Sequence, residues 1–204
     1  MPECAIIPND FVLNVFSMIV KQAQHAADIV RRLRSLVQKT PFQRFEFCLQ
    51  ETLSEVELLM SHDLWSQKVR VEFSVPDNDV VIVGDRIQIE QVLINLIRNS
   101  MDAYGPYVEL ASPAKAGAEN DQRKVWVAVH EASASVELTV SDRAGGVEQS
   151  MAGSLFEPYV SSKADGIGMG LSISRSIVEA HGGQIRVESD YESMTTFTII
   201  LPKE

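Results

Sequence analysis

Between Asp10 and Lys39 the apolar residues Val12, Phe16, Ile19, Ala23, Ala26, Val30, Leu33 and Val37 follow one another in alternating steps of four and three. That spacing is a heptad seam and predicts one long helix. Asn9 or Asp10 suits its N-cap after Pro8, and Thr40-Pro41 ends it. Leu13, Val20, Ala27, Ile29 and Leu36 widen the stripe beyond a two-stranded seam, so the face calls for a helical bundle. One helix cannot build a bundle; the partner would come from outside this sequence or from a second subunit. Packing of the helix on its own globular domain is the competing reading.

After Pro41 the pattern changes to short alternating segments and two further helical periods. A helix is expected near Leu49–Ser61, a strand near Val69–Val75, a strand at Val80–Val83 and a long helix over Asp85–Tyr104. Gly105 to Lys124, rich in Gly, Ala, Pro and charge, reads as a variable loop. Strands follow at Val125–His130 and Val136–Ser141. A glycine-rich stretch leads into a helix at Leu171–His181, closed by Gly182-Gly183, and strands at Gln184–Ser189 and Thr195–Leu201 complete the pattern. Strands and helices do not alternate as in a dinucleotide-binding fold. The expected class is α+β, a two-layer sandwich of one mixed sheet with helices on one face, preceded by the long helix. The boundaries are 1–40 for the helical part and 41–204 for the sandwich.

Charge and cysteines narrow the function classes. The chain of 204 residues carries a net charge of −10. Such a surface repels phosphodiester backbones and anionic lipid heads, so neither nucleic acid nor membrane contact is expected. The two cysteines, Cys4 and Cys48, match no metal spacing and suggest a reducing, cytoplasmic setting. No apolar run reaches the roughly 18 residues of a membrane span, and no signal peptide is expected. An anchor, if the parent protein has one, lies outside this sequence.

Three clusters carry candidate chemistry. On the predicted helix Asp85–Tyr104, Ile89, Val92, Leu93, Leu96, Ile97 and Met101 form the core face, while Asn95, Asn99 and Asp102 recur at steps of four and three on another stripe. Asparagine is a mediocre helix former, so the stripe lines a site unless it is simply solvated. A neutral amide oxygen suits Mg²⁺ that also holds water and phosphate oxygens. The second cluster, Val140-Ser141-Asp142-Arg143-Ala144-Gly145-Gly146, ends a strand in an aspartate and glycines, which is either an ordinary turn or a close approach to a flat ligand. The third, Gly166-Ile-Gly168-Met-Gly170-Leu171, precedes a helix and would present N–H groups to a phosphate chain. It is neither a P-loop nor a Rossmann turn. Lys163, three residues upstream, would add a positive charge.

Taken together, the clusters resemble a known superfamily. Asn95-Leu-Ile-Arg-Asn99-Ser-Met-Asp102-Ala is similar to the N box of the histidine-kinase/GHKL ATPases, Asp142 to Gly146 to the first glycine box, Leu155-Phe156-Glu157-Pro158-Tyr159 to the F box, and Gly166 to Leu171 to the second glycine box. Ala26-Ala-Asp-Ile-Val-Arg-Arg-Leu-Arg resembles the second helix of the dimerisation and histidine-phosphotransfer hairpin, and the short lid with Ser161-Ser162-Lys163 resembles the nitrogen-regulation and oxygen-sensing kinases. The resemblance implies ATP and Mg²⁺ as cofactors. Asn99 would hold the metal, with Asn95 and Asp102 beside it and Asn95 positioning metal and phosphates. Asp142 would accept the adenine amine, with Gly146 beneath the ring and Thr196, just before Phe197, supporting the adenine end. Lys163 would reach the terminal phosphate, and Gly166, Gly168, Gly170 and Leu171 would frame the phosphates. Arg143 and Ala144 stand where the first glycine box usually has Asn and Gly; Ala144 disfavours positive φ and would weaken binding.

The resemblance also separates kinase from hydrolase. Hydrolases of this superfamily carry glutamate at the position of Asn95, and an amide has no useful basicity, so transfer to a protein nucleophile is expected instead. No His-Glu-x-x-Asn/Gln-Pro motif occurs in the chain. His25, in the part resembling the second bundle helix, reads as a polar position beside the seam. His62 and His130 show no partner pattern, and His181 reads as a helix C-terminal residue facing exposed carbonyls. The expected activity is that of the ATP-binding part of a histidine kinase, which labels a histidine on a bundle helix not contained here and serves a response regulator, with homodimerisation through the bundle. The alternatives are a nucleotide-binding regulatory module without transfer activity and a serine kinase of the anti-sigma-factor type, against which the heptad helix argues.

Overall fold

The computed structural model describes residues 44–105, 123–147, 153–160, 168–190 and 194–203. The chain divides into two units, Met1–Phe42 and Gln43–Glu204, and the second is the one described. The expected long helix at Asp10–Lys39 and the loop after Gly105 as far as residue 122 lie outside the described residues, as do Lys163 and Gly166.

In chain order the elements are β1 (Phe45–Cys48), α1 (Leu49–Ser66), β2 (Arg70–Ser74), β3 (Val81–Gly84), α2 (Arg86–Ala103), β4 (Lys124–Glu131), β5 (Ser135–Asp142), α3 (Gly170–Ala180), β6 (Gln184–Asp190) and β7 (Met194–Pro202). Five strands form one mixed sheet in the order β2-β4-β5-β7-β6, with β2 parallel to β4 and the other pairs antiparallel. β1 and β3 pair separately as a small antiparallel ribbon. The α+β sandwich expected from the sequence is the fold observed.

Period-two alternation builds the core face of the sheet. Val125, Val127 and Val129 on β4, Val136, Leu138 and Val140 on β5, and Phe197, Ile199 and Leu201 on β7 are all buried. They meet Ile89, Val92, Leu93, Leu96, Ile97 and Met101 of α2, the stripe its 3.6-residue period predicts. α2 in turn packs against both α1 and α3. Its start is fixed by Asp85, whose side chain accepts the Gln88 N–H at 3.2 Å.

His181 ties α3 to the start of α2. The ring is buried; its Nε2 accepts the Asp85 backbone N–H at 2.9 Å, and its Nδ1 stands 2.8 Å from the Ile177 carbonyl. An acceptor at Nε2 and a carbonyl at Nδ1 require the neutral tautomer with the proton on Nδ1. Gly84 makes room for the ring, since a Cβ there would lie 2.5 Å from His181 Cδ2. His181→Phe keeps the volume but leaves the Asp85 N–H unpaired. It should cost about 2 kcal/mol. Urea unfolding should show a lower midpoint with an unchanged slope; a midpoint equal to wild type would remove His181 as a staple.

Candidate functional site

The polar stripe of α2 meets α3 at Asn95. Asn95 Nδ2 donates to Ser174 Oγ on α3 at 2.9 Å, and Ser174 is buried. A Cβ on Gly170, the first residue of α3, would collide with Asn95 Oδ1. The two helices therefore meet through an amide and a hydroxyl at a point where only glycine fits. Asn99 follows, half-buried, and Asp102 is exposed a turn nearer the end of α2. α3 begins at Gly170 after Met169, and among the described residues no side chain caps it, so the first N–H groups, Leu171 among them, are placed to meet an anion. Gly168 adopts φ +70° and lies against the Phe156–Tyr159 segment: Tyr159 N–H donates to the Gly168 carbonyl at 3.0 Å, and a Cβ on Gly168 would sit 2.6 Å from the Tyr159 carbonyl carbon. Phe156 anchors this segment by packing on the core.

Asp142 ends β5 on the core face and is only 2% exposed. Its Oδ1 accepts the Ala144 N–H at 3.1 Å. Burial raises its pKa above the ordinary carboxylate value, against smaller lowering effects from the Ser100 hydroxyl and the Ala144 amide. Ser100 Oγ lies near enough to influence the carboxyl but meets no hydrogen-bond geometry, and it is buried without a partner. We read it as a neighbour of Asp142 rather than a bonded one. Directly opposite in the ladder stands Thr195, also buried, whose hydroxyl is 3.2 Å from Ser189 Oγ. Ser189 Oγ accepts the Val147 N–H at 2.7 Å and so pins the end of the turn to the sheet.

Within that turn the left-handed conformations fall on Gly145 (φ +110°) and Gly146 (φ +75°), and Ala144 is not among the positive-φ residues. The departure at Ala144 thus brings no backbone strain. Arg143 turns its guanidinium over the Trp126 ring, 5.2 Å from the centroid. Trp126 pairs with Ser141, on the face of the sheet opposite Asp142. The Arg143 side chain thus lies over Trp126, while Ala144 meets the carboxylate through its backbone N–H.

One expected residue does not join this group. Thr196 pairs with Ser141, and the two hydroxyls are 2.9 Å apart. Successive strand residues alternate faces, so Thr196 is directed away from Asp142, and Thr195 shares the face of Asp142. Position-two alternation from buried Phe197 carries the signal that identifies Thr195. Asn95 meets Gly170 and Ser174 at the start of α3, with Gly168 and Leu171 beside Gly170 in sequence, while Asp142 ends β5 and Gly146 stands in the turn after it. Among the described residues no group of three His, Cys, Asp or Glu could hold a metal ion. A divalent ion here fits only as a partner of phosphate oxygens, water and an amide such as Asn99. The same set of groups (the N–H groups opening α3, glycine approaches and a buried acceptor) fits a purine nucleotide.

Comparison with known proteins agrees with this geometry. The sequence profile of the family described as "Histidine kinase-, DNA gyrase B-, and HSP90-like ATPase" matches residues 84–204. The chain is 33% identical over 184 residues to the sensor protein FixL of Bradyrhizobium diazoefficiens, covering 89% of this chain and 34% of FixL. It is 34% identical over 187 residues to the C4-dicarboxylate transport sensor protein DctS of Rhodobacter capsulatus, covering 92% of this chain and 27% of DctS. The chain thus spans about a third of the length of these curated relatives. The nucleotide-free catalytic domain of the histidine kinase ThkA superposes with a TM-score of 0.65 at 27% identity, covering 79% of this chain and 96% of that domain. ThkA in complex with the response regulator protein TrrA shares the fold at a TM-score of 0.73 and 22% identity, over 99% of this chain and 54% of ThkA. Among the described residues no helix is long and apolar enough to cross a membrane. The chain belongs to the histidine kinase-, DNA gyrase B- and HSP90-like ATPase family, and it carries the catalytic ATPase domain of the two-component sensor histidine kinases.

Proposed function

We propose that this chain binds Mg-ATP between α2 and α3 and transfers the γ-phosphoryl group to a histidine on a bundle helix outside these 204 residues. The observation that carries the reading is Asp142. It is a carboxylate 2% exposed at the end of β5, on the core face of the sheet beside the glycine turn, with the Ala144 N–H on one oxygen, and its burial disfavours the charged form. The exocyclic amine of adenine would supply a donor to the other oxygen. Thr195 and Gly146 would complete the adenine end. Asn99 would hold Mg²⁺; Lys163 and Gly166, outside the described residues, would reach the phosphates with Gly168, Gly170 and Leu171. The bound metal would offset charge on the phosphate oxygens.

The choice of transfer over hydrolysis rests on Asn95. Its amide donates one N–H to Ser174 and its oxygen has no useful basicity, so the side chain at that position would not activate water. The chain's own contribution would be to orient the nucleotide and keep water from becoming the acceptor. Residues 1–40 would form the second helix of the phosphotransfer hairpin and support a homodimer, 41–204 would form the ATP-binding domain, and the reaction would run on the cytoplasmic side. ThkA, crystallised with TrrA, suggests a response regulator as the next phosphate acceptor.

The test is incubation with labelled Mg-ATP and a separate bundle helix bearing the family's histidine motif. Acid-labile, base-stable label should appear on that helix and none on this chain alone. Label on the isolated chain would overturn the assignment of the acceptor. Tight ATP binding with no label on the added helix would favour the regulatory module, and acid-stable label on a partner would favour serine transfer.

A further inference from the structure

Asp142 can select a nucleotide only if the end of β5 is held at a fixed distance from α2, and the ladder that should hold it stops at that point. Val125 of β4 pairs with Asp142; the next pair in register would be Lys124 with Arg143. In its place stands the phenol of Tyr104, the residue that follows α2. Its hydroxyl donates to the Lys124 carbonyl at 2.7 Å and accepts the Lys124 N–H at 3.3 Å and the Arg143 N–H at 3.2 Å. One donor hydrogen and two lone pairs are all a phenolic oxygen has, and all three are used. The ring packs against the core, and the Arg123 guanidinium lies over it, 5.4 Å from the centroid.

We infer that Tyr104 is a positioning residue for nucleotide selection. It replaces the last rung of the β4–β5 ladder with a side chain of the helix that carries Asn95 and Asn99. The consequence is geometric: the Arg143 N–H, one residue beyond Asp142, is bonded to α2's own end, so the adenine acceptor and the amide stripe keep one spacing. Meanwhile the chain is released from the ladder at Arg143 and free to turn through Gly145 and Gly146. An ordinary Lys124–Arg143 rung would extend the strand and leave that spacing to packing alone. This inference rests on the reading of Asp142 given above.

The experiment compares ATP with purine riboside triphosphate, which lacks the exocyclic amine, on the full chain and on Tyr104→Phe. The substitution retains the ring and removes only the hydroxyl. Wild type should prefer ATP, and Tyr104→Phe should bind ATP roughly tenfold more weakly while binding the amine-less analogue nearly as before. A variant that weakens both ligands by the same factor, keeping the preference, overturns the inference, because a merely structural role lowers both together. A wild-type chain without preference overturns the reading of Asp142, and this inference falls with it. Should Tyr104→Phe fold poorly, amide exchange on wild type decides. A protected Arg143 N–H supports the inference, and exchange as fast as in an exposed turn overturns it.

Discussion

Asp142→Asn should weaken ATP binding roughly a hundredfold and remove the preference for ATP over GTP. A hydrogen bond to a charged acceptor is worth about 1.5–3 kcal/mol, and the asparagine amide offers a donor where the adenine amine needs an acceptor. GTP should bind poorly to wild type because guanine puts a carbonyl oxygen opposite the carboxylate. Calorimetric titration of both proteins with both nucleotides measures this directly. Equal affinities of wild type and variant for ATP would remove Asp142 from the site. Stability should move the other way. Because the folded-state pKa of Asp142 is raised, its burial penalty is full above that pKa, shrinks as pH falls through it, and is gone below the ordinary carboxylate value. Without nucleotide, this residue therefore costs stability at neutral pH, and Asp142→Asn should melt no lower than wild type there. ATP affinity in wild type should decline as pH falls through the raised pKa, whereas the variant should lack that component of the pH profile.

Gly168→Ala should abolish measurable ATP binding. At φ +70° an alanine carries about 1–2 kcal/mol of strain, and here the added Cβ also meets backbone: Tyr159 C at 2.6 Å and Val160 N and O at 2.7 Å. Backbone cannot swing aside as a side chain can, so the Phe156–Val160 segment must part from the start of α3. Two control substitutions separate the causes. Gly145→Ala has open space but φ +110°, so it pays strain alone and should bind ATP several-fold more weakly. Gly153→Ala has open space and no positive φ and should match wild type. Titration of the three variants, with circular dichroism to confirm the fold, ranks them; retention of wild-type affinity by Gly168→Ala would show that this packing does not shape the site.

The sequence made the fold legible where local and global signals agree. α2 shows a 3.6-residue apolar period and the Asp85 cap, and α3 ends at Ala180 ahead of Gly182, whose φ of +74° lets Gly183 N–H reach the Val178 carbonyl at 2.9 Å. α1 closes with the same geometry, Val69 N–H to the Leu64 carbonyl at 3.0 Å, but its left-handed residue is Lys68 at φ +54°. Without a glycine to mark it, the expected end at Ser61 came five residues short of Ser66. β1 went unanticipated because Phe45-Glu-Phe-Cys48 is too short to show alternation and exists only by pairing with β3. At the site, residue types announced Asn95, Asp142 and the glycines, but facing did not follow from types. Thr196 and Thr195 are chemically identical, and only the pleat, counted from Phe197, distinguishes them. Tyr104 and His181 act through partners 39 and 96 positions away, Arg143 and Asp85, which local patterning does not encode.

The strand order carries a consequence for biosynthesis. β5 pairs with β4 through a short connection, but its other neighbour is β7, and Thr195 meets Asp142 only once β7 is in place between β5 and β6. While the ribosome is still extending the chain through α3 and β6, Asp142 lies on an open edge and its burial is incomplete. If Asp142 accepts the adenine amine, ATP would not template the early stages of folding. On the proposed reading of Asp142, ATP would become a ligand only when Met194–Pro202 has cleared the exit tunnel and closed the sheet, and nucleotide binding would then report a completed sheet.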